Sequence, residues 1–421
     1  MKKYVALLMM MAVPAWADIY TALREIDASN PEITAARSIV KASGADVRQS
    51  WAGWQPSVGV SAGIARAKTK ADQMGIDESY TQKQLGVSVE QNLFQGFATN
   101  ARIDAAKGQL QAEQASLYAT RQTVFLEAVQ AYLNVLNTRE VLALRRNNEK
   151  VLREYYNLFS QKEQVGVLTK TDVAQAEARL ELAKYAAIAA KADYDNALET
   201  YRRIYGQTEN QYTDVSTDRL KPVFPKTIQE AEQQALANHP SILAADARYR
   251  SADAQITVAR QTILPSVDVK ASAMRFDDIP LADRVDDSRI GVYLTVPLYD
   301  KGTALAQTQK AKAHASAVKA QITGAQRAVL EKLNQAWNIY QAQTAAITSA
   351  QIRIKASRLA LDGVRDEQER GRRTVLDVLN AEQEVLDARV SLTQAHHRQT
   401  QAFFSVLSGT GALTPHNLGI E

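Results

Sequence analysis

Ser57-Val58-Gly59-Val60-Ser61-Ala62-Gly63-Ile64-Ala65-Arg66 reads as an alternating segment. Val58, Val60, Ala62 and Ile64 fall on one face of an extended chain, and Ser57, Gly59, Ser61 and Gly63 on the other. Period two is the geometry of a strand, whose successive side chains point to opposite sides. An apolar face backed by a small, polar one over about 9–11 residues is what a membrane-spanning barrel strand requires. A half-buried strand of a soluble sheet alternates in the same way, so one such segment leaves both readings open.

Three further segments share the pattern. Residues 84–93 set Leu85, Val87 and Val89 against Gly86, Ser88 and Glu90. Residues 265–274 set Val267, Val269, Ala271 and Ala273 against Asp268, Lys270 and Ser272, and residues 289–298 set Ile290, Val292, Leu294 and Val296 against Gly291, Tyr293 and Thr295. The four are two pairs, because the chain is written twice. Asn30-Pro31 is echoed by His239-Pro240 and Pro56-Ser57-Val58 by Pro265-Ser266-Val267, both at a separation of 209 residues. Farther along the separation is 205: Gln130-Ala131-Tyr132 recurs as Gln335-Ala336-Trp337, Gly166 as Gly371, and Asp172-Val173 as Asp377-Val378. One structural unit is duplicated, as 18–209 and 210–421. The change of four residues is placed in the polar segments between paired strands, Ala67 to Ser79 and Arg275 to Ser288, which read as surface loops. Asp277, Asp278, Asp283, Asp286 and Asp287 lie in the second, at spacings that match no ordered calcium loop.

Composition and the N-terminus narrow the class. In 421 residues only 18 are Gly and 10 Pro, so few positions break a helix and most of the chain is expected to be helical. Lys2 and Lys3, the apolar run Tyr4 to Val13 and Ala15-Trp16-Ala17 read as a signal peptide over 1–17, cleaved before Asp18. The chain has no Cys, which excludes disulfides and an acylated N-terminal Cys. No later apolar run reaches the ~18 residues of a spanning helix, so entry into a membrane must be by strands. Four strands cannot close on themselves, and an open edge in hydrocarbon leaves backbone groups unpaired at several kcal/mol each. Closure takes around eight strands or more, so copies of the chain must share one barrel.

Each strand pair is followed by a long segment nearly free of breakers. From 98 to 164 there is no Pro and one Gly, Gly108, which predicts a helix ~100 Å long. Small and apolar residues recur in sevens along two seams. Ile103, Leu110, Leu117, Val124 and Ala131 form one; Ala112, Ala119, Leu126 and Leu133 form the other, on nearly the opposite side. A helix with two opposed seams has a neighbour on each flank. The second copy, 303–369, is as long but less regular, with Arg327, Asn334 and Asn338 intruding. Both end in matched turns, 165–171 and 370–376, where Gly166 and Gly371 permit a left-handed helix end and Thr169, Thr171, Thr374 and the Asp residues can cap return helices over 172–205 and 377–408.

Other chemistry finds little footing. Net charge is +4, with Lys+Arg 50 and Asp+Glu 46 interspersed, which is a solvated surface and not a nucleic-acid footprint. His239, His314, His396, His397 and His416 lack metal-ligand spacing, and there is no Cys nucleophile or phosphate loop, so neither enzyme activity, cofactor nor metal is expected. Trp51, Trp54, Tyr80 and Tyr293, near the strand ends, suit either interfacial anchoring or core packing.

With Leu93-Phe94-Gln95-Gly96-Phe97, its partner Leu298-Tyr299-Asp300-Lys301-Gly302 and the turn from Gly371 to Ala381, the mature chain resembles the TolC-like outer-membrane efflux proteins along essentially its whole length. The resemblance implies a mainly α homotrimer whose twelve strands form one outer-membrane β-barrel in contact with outer-membrane lipid. A periplasmic α-helical barrel continues it, with a belt at mid-length placed around 207–238 and at both termini. It further implies an exit duct for drug efflux or type I secretion, joined to an inner-membrane transporter through a periplasmic adaptor. A periplasmic coiled-coil adaptor or scaffold is the alternative, sharing signal peptide and hairpins. By the same resemblance the periplasmic gate maps to Arg373 facing Thr171 and Asp172, a tip Tyr of the family is Gln368 here, and the pore constriction maps to Asp377 and Asn380, of which only Asp377 is charged.

Overall fold

The computed structural model describes residues 19–71, 76–206, 212–279 and 282–420. The expected signal peptide and residues 207–211 of the expected belt lie outside the described residues. The elements in order are α1 (Ile19–Ser29), α2 (Pro31–Trp51), β1 (Ser57–Ala71), β2 (Ile76–Gln95), α3 (Ala98–Gln164), α4 (Lys170–Tyr205), α5 (Ile228–Asn238), α6 (Pro240–Ala259), β3 (Ser266–Ile279), β4 (Ala282–Thr295), α7 (Thr303–Glu369), α8 (Val375–Gly409) and α9 (Pro415–Leu418). The repeated landmarks are boundaries: Pro31 and Pro240 open α2 and α6, where a missing N–H costs nothing. Asn30 Oδ1 accepts from Glu32 N at 2.9 Å and Ile33 N at 3.3 Å. These two helices, α2 and α6, lead into the strands and carried no strong periodic signal.

The strands form one antiparallel sheet in the order β1-β2-β3-β4. Its register sorts the faces cleanly. Val58 pairs with Val89, Val60 with Val87 and Ala62 with Leu85; Val87 meets Ala273, Val89 meets Ala271, and Val269 and Ala271 meet Val292 and Ile290. Cross-strand partners share a face, so one side of the sheet is a continuous apolar band. That band is bare in the single chain, with Val60 73% and Ile290 82% exposed. A bulge at Asn92/Phe94 shifts the β2–β3 register at the helix-connected end.

All four strands are longer than the alternation of apolar residues predicts. The segments expected as loops, 67–79 and 275–288, are mostly strand and contain the hairpin connections. The alternation continues with charges in place of aliphatics, and cross-strand ion pairs replace apolar contacts: Lys68–Asp77 at 2.9 Å, Arg275–Asp286 at 2.7 Å and Arg284–Asp277 at 2.9 Å. The acidic cluster therefore consists largely of ladder residues with basic partners, Asp287 pairing with Arg289 and Asp278 with Lys83, each at 2.9 Å.

Packing divides the chain into two compact units, each drawing on both repeats. One holds Ala36–Leu117 and Ser241–Ala325, and so contains the sheet, most of α2, nearly all of α6, and the first stretches of α3 and α7. Its helical core is built of small residues: Ala252 on α6 clusters with Ala315 and Val318 on α7, flanked by Tyr249 and Ile256. Small side chains let backbones approach, and Gly108 marks the extreme. A Cβ there would lie 2.9 Å from the backbone N of Ser251, which explains the single Gly in α3. Gly108→Ala is expected to destabilise by about 1–3 kcal/mol despite its better helix propensity. A lower thermal midpoint than a Gly324→Ala control, where nothing lies within 4 Å of the added Cβ, is the check.

The other unit holds the chain through Ala35, Tyr118–Pro240 and Gln326 to the C-terminus. Here the first helix, the segment from Tyr212 and the C-terminal residues pack together. Tyr20 Oη donates to Ser216 O at 2.8 Å, and Arg24 reaches the carbonyls of Gly419 and Ile420, both at 3.4 Å. Tyr132 Oη of α3 donates to Thr213 O at 2.8 Å while accepting from Thr213 N at 2.9 Å. On α7, Asn334 donates to Glu232 Oε1 of α5 at 2.9 Å, so a polar intruder in the heptad seam ties α7 to α5.

Of the two expected seams of α3, Ile103, Val124, Ala131, Ala112 and Leu133 are buried, whereas Leu110, Leu117, Ala119 and Leu126 are only partly covered. α7 differs. Ile339, Ile352 and Leu359 are 50%, 66% and 76% exposed, and α4 likewise bares Leu182, Tyr185 and Ile188. These apolar positions are half or more exposed among the described residues.

Candidate functional site

The two hairpin turns share the same capping pattern. Gly166 and Gly371 take φ of 77° and 72°, the left-handed region that a side chain resists. Val167 N donates to Lys162 O at 2.9 Å and Arg372 N to Glu367 O at 2.8 Å, closing each helix C-terminus with a Schellman pattern. Each return helix then opens with a capping box. Thr169 N and Oγ1 donate to Asp172 Oδ2 at 3.0 and 2.7 Å, and Thr374 N and Oγ1 donate to Asp377 Oδ2 at 3.0 and 2.8 Å. Asp172 N and Asp377 N donate back to the Thr hydroxyls, both at 3.2 Å.

One apolar cluster joins the two hairpins of the chain. Leu152 and Phe159 of α3, Ala176, Leu180 and Ala183 of α4, and Val375 and Leu379 of α8 are mutually buried, with Tyr155, Tyr156 and Leu168 packed against them. A polar link runs beside it. Tyr155 Oη donates to Glu382 Oε1 at 2.9 Å, the same oxygen accepts from Arg365 Nη2, and the Arg365 guanidinium lies over the Tyr155 ring. Burial first, and the Glu382 charge second, push the Tyr155 phenol up to about 12, so it stays a donor at any physiological pH. α3, α7 and α8 thus meet on one carboxylate.

The expected gate residues occupy the turns as follows. Arg373 Nε donates to Glu367 Oε2 at 2.8 Å on its own hairpin, with the side chain half exposed. The Glu367 bond and charge, reinforced by Asp377, hold the guanidinium above its ordinary value. Thr171 is exposed at the start of α4, and Asp172 is engaged in its capping box. Arg373 and Asp172 thus each have a partner on their own hairpin. Asp377 is held below the usual carboxylate range by the Thr374 backbone and hydroxyl bonds. Asn380 Oδ1 accepts from Arg179 Nη2 of α4 at 2.8 Å, which ties it to the first hairpin.

The sequence reading passed over Glu367 and the Tyr155–Glu382–Arg365 link. Glu367 was findable, since it stands six residues before Arg373 across a tight turn. The link was not, because its members are 17 and 227 residues from Glu382. The two turns also differ in character: Val165 and Val167 are 74% and 67% exposed on the first, whereas Arg370, Arg372 and Arg373 project from the second.

Among the described residues, no group of three or more His, Cys, Asp or Glu could hold a metal, and no helix is long and apolar enough to cross a membrane. A family model described as outer membrane efflux protein matches residues 22–207 and 231–412. Outer membrane efflux protein BepC of Brucella suis is 32% identical over 93% of this chain and 85% of its own length. Outer membrane protein TolC of Escherichia coli is 23% identical over 93% and 81%. Among solved structures, the outer membrane protein VceC of Vibrio cholerae superposes with a TM-score of 0.82 at 19% identity, covering 93% of this chain and 96% of that one.

Proposed function

This chain belongs to the outer membrane efflux protein family, and from that premise we propose that three copies build one export duct, closed at its periplasmic end by the hairpin turns. The protein is an outer-membrane channel component reaching into the periplasm, where it serves as an exit duct for efflux or type I secretion. The observation that carries the proposal is the sheet: four strands, two open edges and a bare apolar face. In lipid that face is satisfied, and the edges of β1 and β4 pair only if a neighbouring copy supplies the missing strand. A periplasmic adaptor has no use for such a face, so the adaptor reading gives way. The exposed apolar faces of α4 and α7 serve the same closure among the helices.

Because the chain has no Cys, cross-links report without background. Single Cys residues placed on β1 and β4 in registers scanned across the edge should give a ladder of one, two and three chains that ends at three. A ladder ending at two, or continuing upward, would overturn the trimer.

At the tips, Arg373 of one copy bonds Asp172 and Thr171 of the next, in competition with Glu367 on its own hairpin. Each pair is exposed and individually weak, so a partner protein can release the ring. The adaptor that joins the duct to an inner-membrane transporter engages the bare Val165 and Val167. Asp377 supplies the negative ring of the constriction, with Asn380 beside it. Asp377→Asn is then expected to relieve block by multivalent cations in planar bilayers. Since the folded environment holds this carboxyl low, wild-type block should persist as pH falls through the ordinary carboxylate range and fade only below it. Equal block in wild type and variant would assign the constriction elsewhere.

A further inference from the structure

Beyond the apolar band, the lipid-facing side of the sheet becomes cationic, and we propose that Arg66, Lys68 and Lys70 of β1 with Lys83 of β2 bind the phosphate groups of outer-leaflet glycolipids. The inference rests on the outer-membrane reading above and adds a specific lipid partner to it.

Face assignment comes from the register. Ile64 pairs with Lys83, Arg66 with Thr81, Lys68 with Ser79 and Lys70 with Asp77, so Arg66, Lys68 and Lys70 continue the row of Val58, Val60, Ala62 and Ile64. All three are exposed, whereas Ala67 and Thr69 on the opposite face are partly covered. Along the strand the three charges are spaced by ~6.6 Å each, two residues of rise. Such a row is a poor surface for hydrocarbon and a good one for headgroups.

Charge balance singles out the first hairpin. On β3 and β4 the same face carries Arg275, Arg284, Asp277 and Asp286, which neutralise one another at 2.7 and 2.9 Å. On β1 and β2 it carries four cations, Arg66, Lys68, Lys70 and Lys83, and among the described residues one acid, Asp77, and Lys70 like Lys68 has a partner. The Lys68–Asp77 pair is 63% and 54% exposed, and such a pair yields readily to a stronger anion. Lys83 pairs with Asp278, also in the open.

Topology decides which leaflet is met. Strands enter from α2 and α6 and leave into α3 and α7 at one end, so both hairpin connections lie at the other. With the helices in the periplasm, the hairpin end faces outward. At the periplasmic end the lipid-facing positions are Val58, Val89, Val267 and Leu294, with no cation. A generic interfacial belt would be basic at both ends. Phosphorylated headgroups confined to the outer side match a basic row confined to that side.

The test uses the intact trimer in phosphatidylethanolamine vesicles containing either bis-phosphorylated lipid A or its dephosphorylated form, followed by extraction and native mass spectrometry of retained lipid. Wild type should retain the phosphorylated form on the order of tenfold more, and Arg66→Gln/Lys68→Gln/Lys70→Gln should lose that preference with the trimer intact. Equal retention of both lipids by wild type overturns the proposal, whether or not the variant folds. Unchanged preference in the variant, with reduced heat resistance of its trimer in lipid-free detergent, overturns it too and assigns the row to acids on β4 of the neighbouring copy. Planar-bilayer conductance separates these failures from failure of the duct itself: a protein that conducts without the preference refutes this proposal alone.

Discussion

Arg373→Ala channels reconstituted in planar bilayers should conduct several-fold more than wild type at neutral pH and low salt. The side chain is half exposed on a turn whose own capping box runs through Thr374 and Asp377, so its removal leaves the hairpin built as before. What it removes is one fork of each tip bond, three times over by symmetry. Asp172→Ala is a less clean probe, since Asp172 also caps α4, where a carboxylate at a helix start is worth about 0.3–1 kcal/mol. Raising salt should lift wild-type conductance more than proportionally by screening the exposed pairs and leave Arg373→Ala on the bulk trend. A variant indistinguishable from wild type in both measurements would reduce Arg373 to a local partner of Glu367.

Val60→Arg should abolish assembly into the outer membrane or lower it severely. Val60 lies within the bare band, paired with Val87 and 73% exposed. A cation at the midplane of a barrel's lipid face costs about 2–4 kcal/mol, and each barrel would carry three. Ser61→Arg, one residue on and directed to the opposite face, places the same charge in the lumen, where the cost is small. Heat-resistant trimer in the outer-membrane fraction distinguishes the two. Equal yields from both variants would mean that the even-numbered face does not meet lipid, and the sheet would need another partner.

The polar extensions of the strands show where sequence reading stops. Val58 to Ile64 advertise a strand because aliphatic residues alternate, but Arg66, Lys68 and Lys70 continue the row with side chains that are equally at home in a loop. Only the ladder, with Lys70 facing Asp77, Lys68 reaching diagonally to the same carboxylate and Arg275 facing Asp286, makes them strand. At the tip the division is similar. Gly166, Gly371 and the Thr–Asp caps are local devices, complete within a few residues, and were legible as such. The Glu382 link joins groups from three helices, and no local pattern announces it.

By itself the sequence determined the duplicated plan, the long helices, the face of the sheet that seeks lipid and the need for partner copies, because each follows from periodicity or from backbone groups that must be paired. Tertiary structure alone decided which charges end as ladder pairs, why α3 keeps a single Gly against Ser251, and that Arg373 rests on Glu367 within its own chain. Those outcomes depend on which distant residues arrive within a few ångströms of one another, and distance through space is the one quantity a linear pattern does not carry.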